Sequence, residues 1–283
     1  MSEHDLGLGH DLRTLDERRM LADDPEHPRA LTADADEERR GPAGALNRRQ
    51  LLRIGGGVGA AALVTACVPT GTGTPSASIP EETAGPYPGD GTNGPNALAT
   101  SGIVRRDIRS SFGSSTTVAP GVPTTVYFTV LDAATHQPMK GAAVYLWHCD
   151  RSGGYSLYSS GLTNENYLRG VQATNSSGVV SFLTIFPACY SGRWPHMHFE
   201  VFPSLASATN GSQAFATSQI ALPKATCDKV YATSGYEQSV ANLTQVSLAT
   251  DMVFSDGTAL ETPAVAGNVT TGLVVALSVA VNT

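Results

Sequence analysis

The amino-acid sequence predicts an all-β fold, an antiparallel β-sandwich with long loops, for residues 97–283. Short runs rich in β-branched and aromatic residues recur along this part of the chain, and such residues suit the pleated, half-buried surface of a sheet. Turn-forming segments separate the runs, and no long amphipathic helical pattern interrupts them. Many short strands within one domain are typical of a sandwich.

Six strands are predicted, each bounded by turn signals. The first ends at a turn-prone stretch, residues 132–138, and Gly141 and Gly178 mark the turns before the second and third strands. Residues 256–267 are predicted to form a loop before the last strand. The predicted strands are residues 124–131, 142–147, 179–186, 196–202, 218–222 and 273–281.

The chain before residue 97 divides into three predicted segments. Residues 1–46 contain twelve acidic and six basic residues and almost no aromatic or β-branched ones. Such a segment cannot bury enough apolar surface to offset the entropy cost of ordering, so we predict a disordered acidic extension. Residues 47–67 match a twin-arginine export signal, with paired arginines before a short, mildly apolar segment. Residues 68–96, rich in Gly, Pro, Thr and Ser, are predicted to be a flexible tether.

The export signal ends in Leu-Val-Thr-Ala-Cys, which is similar to a lipoprotein processing box. We therefore predict that Cys67 is lipidated and that the lipid holds the protein on the outer face of the cell membrane. Ordinary cleavage nearby is the alternative, and it would yield a secreted protein in which Cys67 is incidental. The uncharged residues 54–66 are too few to span a bilayer comfortably, so membrane contact is expected through the lipid anchor only.

The charge of the chain argues against one class of function, and its cysteines suggest a disulfide. From residue 68 onward the chain carries nine basic and thirteen acidic residues without a basic patch, which argues against nucleic-acid binding. An exported protein permits disulfides, and a bridge between Cys149 and Cys189 would attach the loop before Tyr190 to the sheet. Cys227 would then be unpaired, although sequence alone does not determine the pairing.

The most informative stretch runs from Tyr190 to His198 and holds a phenol, a guanidinium and two imidazoles within nine residues. Successive side chains of a strand point to opposite faces. His196 and His198 are therefore predicted to share one face of the fourth strand, with Met197 on the other face. Two imidazoles at this spacing are typical of a transition-metal site.

Two tyrosines indicate which metal the site would hold. Tyr190 precedes His196 by six residues, far enough to reach the same site from a loop, and Tyr167 lies upstream of another strand-like run. Phenolate is a hard anionic donor, and a bound cation favours the ionised form of a phenol that otherwise titrates near pH ~10. Tyr167, Tyr190, His196 and His198 are therefore predicted to bind non-haem ferric iron.

These residues carry a resemblance to a known family, the intradiol ring-cleavage dioxygenases. The specific signal is the Arg-x-x-His-x-His block, in which Arg193 precedes the two histidines, together with both tyrosines. The similarity spans roughly residues 80–255. The parts of the chain that resemble the family are residues 83–89, 141–150, 167–172, 178–185, Pro187, 190–198 and 217–219.

The resemblance implies a reaction and roles for individual residues. It implies a prealbumin-like core and Fe(III)-dependent cleavage of a catechol-type ring by O2, which gives a muconate-type dicarboxylic acid. Tyr190 would leave the metal and take a substrate proton, and Arg193 would stabilise negative charge on the ring. Tyr87 and Gln219 would contact the substrate. The family also implies that the chain can form homo-oligomers.

Two other classes of function remain open from the sequence. Residues 124–131 and 141–144 also resemble prealbumin-like modules that serve adhesion or carbohydrate binding without catalysis, and such a module would be colourless. A copper or zinc site on the histidine pair is the second alternative. It would need further ligands, and the other histidines after residue 67 are His136 and His148.

Overall fold

The computed structural model of the chain describes residues 74–75 and 77–283. The acidic extension, the export signal, Cys67 and the first part of the tether lie outside these residues and stay predictions. Most of the regular structure is strand, in two four-stranded sheets with few helices. The strands are β1 (Pro123–Asp132), β2 (Ala143–Trp147), β3 (Arg169–Ala173), β4 (Val179–Ile185), β5 (His196–Phe202), β6 (Ala216–Ala221), β7 (Ala264–Asn268) and β8 (Gly272–Val281).

The first sheet has the strand order β4–β1–β8–β7, and the second has the order β3–β2–β5–β6. All six predicted strands are present, each within two residues of its predicted bounds. The sequence reading missed β3 and β7. Arg and Gln make β3 look polar although it is half buried beside β2, and β7 is a short strand at a sheet edge that ends in Gly267 and Asn268.

The antiparallel prediction is wrong for one pair of strands. β1 and β8 run parallel, with Thr124 opposite Leu273 and Asp132 opposite Val281, whereas the other strand pairs are antiparallel. A parallel pair needs a long crossover connection, and here the connection contains all the intervening strands. Side-chain alternation within a strand carries no information about the direction of its partner.

Alternate side chains of both sheets meet in one hydrophobic core. Val126 and Phe128 point inward from β1, and the ring centroid of Phe128 lies 4.9 Å from that of Phe199 in β5. The opposite face of the second sheet is also buried, because loops cover it and pack with Tyr145 and Trp147 in a second cluster. We term this covered surface the outer face of the second sheet.

Residues 77–96, predicted to end the flexible tether, pack against the sheets. Ile79 is buried and its N–H donates to Ala280 O at 2.8 Å, while the N–H of Glu82 donates to Thr217 O at 2.8 Å. The folded domain therefore begins by Ile79 rather than at residue 97. Gly- and Pro-rich composition favours an extended chain, but it does not reveal that a sheet edge binds that chain.

Two short helices, α1 (Lys224–Tyr231) and α2 (Glu237–Leu243), follow β6. Their buried residues, including Val230 and Leu243, join the core between the sheets. Among the described residues, none of the helices has both the length and the apolar character needed to cross a bilayer.

The predicted disulfide between Cys149 and Cys189 is not formed, and both are free, buried thiols, as is Cys227. Cys149 belongs to the cluster on the outer face of the second sheet and directs its thiol to Ala188 O. Cys189 belongs to the core between the sheets and directs its thiol to Arg193 O. The two side chains thus pack in different clusters, which explains why they do not form a bond.

His148 makes stability depend on pH. Its ring nitrogens lie 2.7 Å from Cys149 O and 2.7 Å from Thr184 Oγ1, and burial lowers its pKa from 6.5 to about 4. The unfolded chain therefore binds the proton more readily, so acidification from pH ~6.5 to ~4.5 is expected to remove about 2–3 kcal/mol of unfolding free energy. Urea unfolding at both pH values should show a smaller loss for His148→Gln, and equal losses would contradict the assignment.

Candidate metal centre

Strand β5 places His196 and His198 on the outer face of the second sheet, as the period of two requires. Met197 and Phe199 point instead into the core between the sheets. The two imidazole Nε2 atoms lie 3.1 Å apart, and both residues are 2 % exposed. The prediction that the two histidines share a face is confirmed.

The hydrogen bonds of His196 fix which of its nitrogens is free to bind a metal. His196 Nδ1 lies 2.6 Å from Trp194 O; because a carbonyl only accepts, Nδ1 carries the hydrogen and Nε2 keeps a lone pair. Burial and the Arg193 charge lower the pKa of His196 to about 3. Burial and His196 hold the pKa of His198 well below its ordinary value, so two neutral imidazoles direct nitrogen atoms to one point.

Tyr190 brings a phenol to the same point. Its hydroxyl lies 3.1 Å from His196 Nε2, and the loop between β4 and β5 carries it there. Burial raises the pKa of Tyr190 to about 12, although the neighbouring Tyr155 side chain opposes this shift. A phenol in this environment ionises near neutral pH only if a strong cation replaces its proton.

Tyr155 supplies the second phenol of the site. Its ring centroid is 6.0 Å from that of Tyr190 and 6.3 Å from that of His198. Its hydroxyl is buried without a well-formed hydrogen bond to the described residues, and burial raises its pKa well above 10. An unpartnered buried hydroxyl is costly, and a cation between the four donors would remove that cost.

Tyr167, predicted as a ligand, lies elsewhere. Its hydroxyl donates to Asp150 Oδ2 at 3.2 Å, and its ring packs with Leu168 and Ile185 in a separate cluster. Burial and the Asp150 charge raise its pKa, which opposes formation of a phenolate. The structure therefore brings Tyr155, rather than Tyr167, next to Tyr190 and His198. Gly153 and Gly154, in the loop that follows β2, immediately precede Tyr155 and were the sequence signal for a tyrosine on a tight loop.

Arg169, which the sequence reading did not single out, holds the loops of the site together. It is 1 % exposed, and its guanidinium donates to the carbonyl oxygens of Tyr87, Pro88 and Ser156 at 2.9, 2.6 and 2.9 Å. Ser156 follows Tyr155 directly in the chain. One buried side chain on β3 therefore fixes the loop that carries Tyr155 and the segment that carries Tyr87.

Arg193 lies beside the metal-binding side chains and is itself held in place. Its Nε donates to Asp251 Oδ2 at 2.9 Å, and one terminal nitrogen donates to Gln219 Oε1 at 2.7 Å. Gln219 also donates to Thr83 O at 2.8 Å. Gln219, predicted to contact substrate, thus has both its polar atoms engaged in positioning Arg193.

Asp251 is a further residue that the sequence reading missed. It is fully buried, and the same Oδ2 accepts the N–H of Trp194 at 2.6 Å. Although burial opposes ionisation, hydrogen bonds from Arg193 and Trp194 hold the pKa of Asp251 below its ordinary value. Fifty-eight residues separate it from Arg193, so no local sequence pattern connects the two.

One wall of the site is the segment that contains Gly85 and Tyr87. Gly85 has a φ of +70°, and a Cβ at this position would come within 3.3 Å of His198 Cε1, so the backbone approaches the ligand closely because glycine allows it. Tyr87 is 40 % exposed and packs against Tyr155 with ring centroids 5.1 Å apart. Tyr87 is thus a partly exposed side chain beside the site, and its contact with a substrate stays a prediction.

The donor set fits ferric iron better than copper or zinc. Within the described residues, no group of three or more His, Cys, Asp and Glu side chains is arranged to hold a metal. Both ring nitrogens of His148 have other partners, and His136 lies in the turn after β1. Among the residues that the structure describes, the phenols are therefore the further donors next to the histidine pair, and they are hard donors that favour a trivalent cation.

Removing Asp251 is expected to destabilise the fold. Asp251→Ala leaves the Arg193 charge buried and unpaired, and we expect a loss of about 3–5 kcal/mol in unfolding free energy. Asp107→Ala is the matched control, because it removes the partner of Arg109 in an exposed pair with side chains 41 % and 44 % accessible. That loss should stay below about 1 kcal/mol. Urea unfolding measures both, and similar losses would contradict the structural role of Asp251.

Comparison with known proteins shows which family the chain is similar to. A family model described as "Dioxygenase" matches residues 94–207. The solved structure of an intradiol ring-cleavage dioxygenase from Tetranychus urticae is 25 % identical over 73 % of this chain and 95 % of that chain, with a TM-score of 0.57. A second dioxygenase crystal structure is 27 % identical over 73 % of this chain and 94 % of its own, also with a TM-score of 0.57. No curated protein matches the chain.

The matched region includes all four donors of the centre, Tyr155, Tyr190, His196 and His198. The comparisons therefore confirm the resemblance that the Arg-x-x-His-x-His block indicated. Over its folded part, the chain is similar to the intradiol ring-cleavage dioxygenases.

Proposed function

We propose that this enzyme uses non-haem Fe(III) and O2 to cleave a catechol-type ring between its two hydroxyl-bearing carbons, releasing a muconate-type dicarboxylic acid. The observation that carries the proposal is that two neutral imidazole nitrogens and the Tyr190 hydroxyl meet at one point, with the buried ring of Tyr155 packed beside them. This donor set suits a ferric ion. Similarity to the dioxygenase family supports the reaction type.

Tyr155, Tyr190, His196 and His198 would hold the iron. When bound, Fe(III) would draw electron density from a catecholate so that the ring can react with O2. Tyr155 is 2 % exposed, whereas Tyr190 is only partly buried. Tyr190 is therefore the phenol that an incoming catechol can reach, and its oxygen is suited to accept a proton from a catechol hydroxyl.

Arg193 would supply a fixed positive charge next to the reacting ring. Asp251 and Gln219 hold two of its nitrogens, which leaves the other terminal nitrogen of the planar fork for a substrate. Phe254 packs near both Arg193 and His196, at centroid distances of 5.8 and 6.4 Å, and limits water on this side. A pre-oriented guanidinium in such a site stabilises developing negative charge by about 3 kcal/mol.

A visible spectrum with metal analysis tests the proposal. The full-length chain, loaded with ferrous iron in air, should show a red-brown tyrosinate-to-iron band. Anaerobic addition of catechol should shift this band to longer wavelength, and admission of O2 should release a dicarboxylic acid. A colourless protein that retains no iron would contradict the proposal and favour the non-catalytic binding module.

The same proposal extends to architecture and location. The two sheets sharing one core support assignment to the prealbumin-like sandwiches. Export by the twin-arginine route, anchoring through a lipid on Cys67 and assembly into homo-oligomers are proposals that rest on sequence and on family resemblance. Twin-arginine export carries folded proteins, which suits an enzyme that acquires its metal before export.

A further inference from the structure

The two histidines of the candidate metal centre are held in different ways. His196 Nδ1 lies 2.6 Å from Trp194 O, and a hydrogen bond of this kind usually orients a metal-binding imidazole. His198 Nδ1 is also buried, but it has no hydrogen-bond partner among the residues that the structure describes. A contact other than a hydrogen bond must therefore determine the orientation of the His198 ring.

An indole ring lies flat against the imidazole of His198. Trp147 in β2 is the Cα partner of His198 in β5, and directly opposed side chains of an antiparallel pair lie on the same face of a sheet. The two ring centroids are 5.0 Å apart, and the ring planes are inclined by 6°. Trp147 is fully buried. The contact is thus a buried parallel stack between one of the four donors and a side chain that is not a donor.

Trp147 is itself held in place by a second stack. The ring centroid of Tyr145 lies 4.9 Å from that of Trp147, with an interplanar angle of 22°. The Tyr145 hydroxyl donates to Pro88 O at 2.9 Å and accepts from a terminal nitrogen of Arg169 at 3.2 Å. The indole therefore cannot tilt without displacing a buried ring that is anchored at its far end.

Two further groups border the His198 ring without fixing its plane. A Cβ on Gly85 would come within 3.3 Å of His198 Cε1, and the ring of Tyr155 meets His198 at an angle of 61° with centroids 6.3 Å apart. Neither contact supplies an acceptor to His198 Nδ1. Of the three contacts, the one with Trp147 is parallel to the imidazole, so it is the one that sets the plane of the ring.

A row of four residues across the second sheet includes this pair. Arg169, Trp147, His198 and Gln219 are successive Cα partners on β3, β2, β5 and β6. Arg169 fixes the loops of the site, and Gln219 holds Arg193. The residues on either side of the stacked pair thus both organise the metal centre, which places Trp147 in a functional row rather than in the core between the sheets.

An unpaired polar atom of Trp147 argues against a purely structural role. Its Nε1 is buried and has no hydrogen-bond partner within the described part of the chain, although a buried indole N–H usually finds one. An unpaired buried donor destabilises a fold, and phenylalanine or leucine at this position would not introduce one. Stability of the cluster therefore does not account for an indole here, whereas its flat contact with His198 does.

We propose that Trp147 is the positioning residue of His198. Its indole holds the imidazole plane so that His198 Nε2 faces the point shared with His196 and Tyr190, and it does so in place of the hydrogen-bond acceptor that metal-binding histidines usually have. This inference rests on the proposed function, in which His198 Nε2 binds the iron.

Two substitutions and a control in the full-length chain test the proposal. The iron Kd, measured by competition with a chelator, should rise about 10–100-fold for Trp147→Leu, the range for loss of a group that supports a metal ligand. Trp147→Phe keeps a smaller ring against the imidazole, and its iron Kd should rise several-fold. Phe182→Leu is the matched control, because it removes a fully buried ring from β4 in the other sheet. It should lower the urea midpoint but leave the iron Kd unchanged.

Electron paramagnetic resonance of the ferric protein distinguishes orientation from stability. Without its full stack the His198 ring should bind iron in more than one orientation, so the ferric signal should broaden or split in both Trp147 variants. Phe182→Leu should keep the wild-type signal, since its loss of packing lies away from the four donors. A merely structural role of Trp147 would change the urea midpoint and leave this signal as it is.

The outcomes separate this inference from the proposed function. If the wild type binds iron and the Trp147 variants keep its Kd and its ferric signal, Trp147 does not position His198, while the proposed function stands. If their iron Kd rises no more than that of Phe182→Leu, the inference is equally overturned. If the wild type binds no iron, the proposed function fails, and this inference fails with it. Should Trp147→Leu not fold, Trp147→Phe decides by the same criteria.

Discussion

Replacing Tyr155 by Phe is expected to reduce iron affinity by at least about 100-fold, because even the loss of a group that only supports a metal ligand costs about 10–100-fold. The substitution removes one phenol oxygen from the four donors and leaves the ring in place against Tyr190 and His198. The tyrosinate-to-iron band should weaken and shift, and turnover should fall with it. Metal analysis after dialysis, together with the visible spectrum, measures both effects.

Tyr167→Phe is the matched control for this substitution. It removes the same atom from a tyrosine whose hydroxyl donates to Asp150 rather than facing the histidines. We expect unchanged colour and iron content, and a loss of stability of about 1 kcal/mol for the hydrogen bond. If Tyr167→Phe lost iron while Tyr155→Phe kept it, the assignment of the second phenol would be reversed.

Arg193→Ala is expected to lower turnover by roughly two orders of magnitude or more while iron and colour are retained. The guanidinium contacts Asp251, Gln219 and the ring of Phe254, and it is not one of the four donors. Its loss should therefore reduce kcat without emptying the metal site. Single-turnover oxygen consumption with a preformed anaerobic catechol complex separates this effect from binding.

Arg193→Lys is the control for a folding defect in Arg193→Ala, because lysine keeps a positive charge opposite the buried Asp251. We expect most of the loss in turnover to persist, since an ammonium group cannot reproduce the planar fork that bonds to Asp251, Gln219 and a substrate together. Turnover near the wild-type value in both variants would remove Arg193 from the chemistry. A colourless variant would instead show that Arg193 supports the metal site.

Much of the fold could be predicted because the residue pattern within a strand is enough to indicate that strand. Thr, Val, Tyr and Phe alternate along β1, and the strand is half buried in the same alternation. β3 and β7 were missed because partners rather than composition select them, and the parallel pairing of β1 with β8 was missed for the same reason. The register between strands depends on contacts across the whole domain, which a single strand's pattern does not contain.

The candidate metal centre, like the fold, was determined partly by the sequence alone and partly by the tertiary structure. The sequence by itself determined that His196 and His198 share a face, because side chains two residues apart in a strand point the same way. It also determined that Tyr190 and Arg193 lie near the two histidines, because only a short stretch of chain separates them from His196. Only the tertiary structure decided between Tyr155 and Tyr167, since both lie upstream on loops and the buried Arg169 fixes the loop that carries Tyr155. The tertiary structure alone also brought Asp251 to Arg193 and kept Cys149 apart from Cys189. Residues close in the chain are oriented by backbone geometry, whereas residues far apart are oriented by packing of the whole domain.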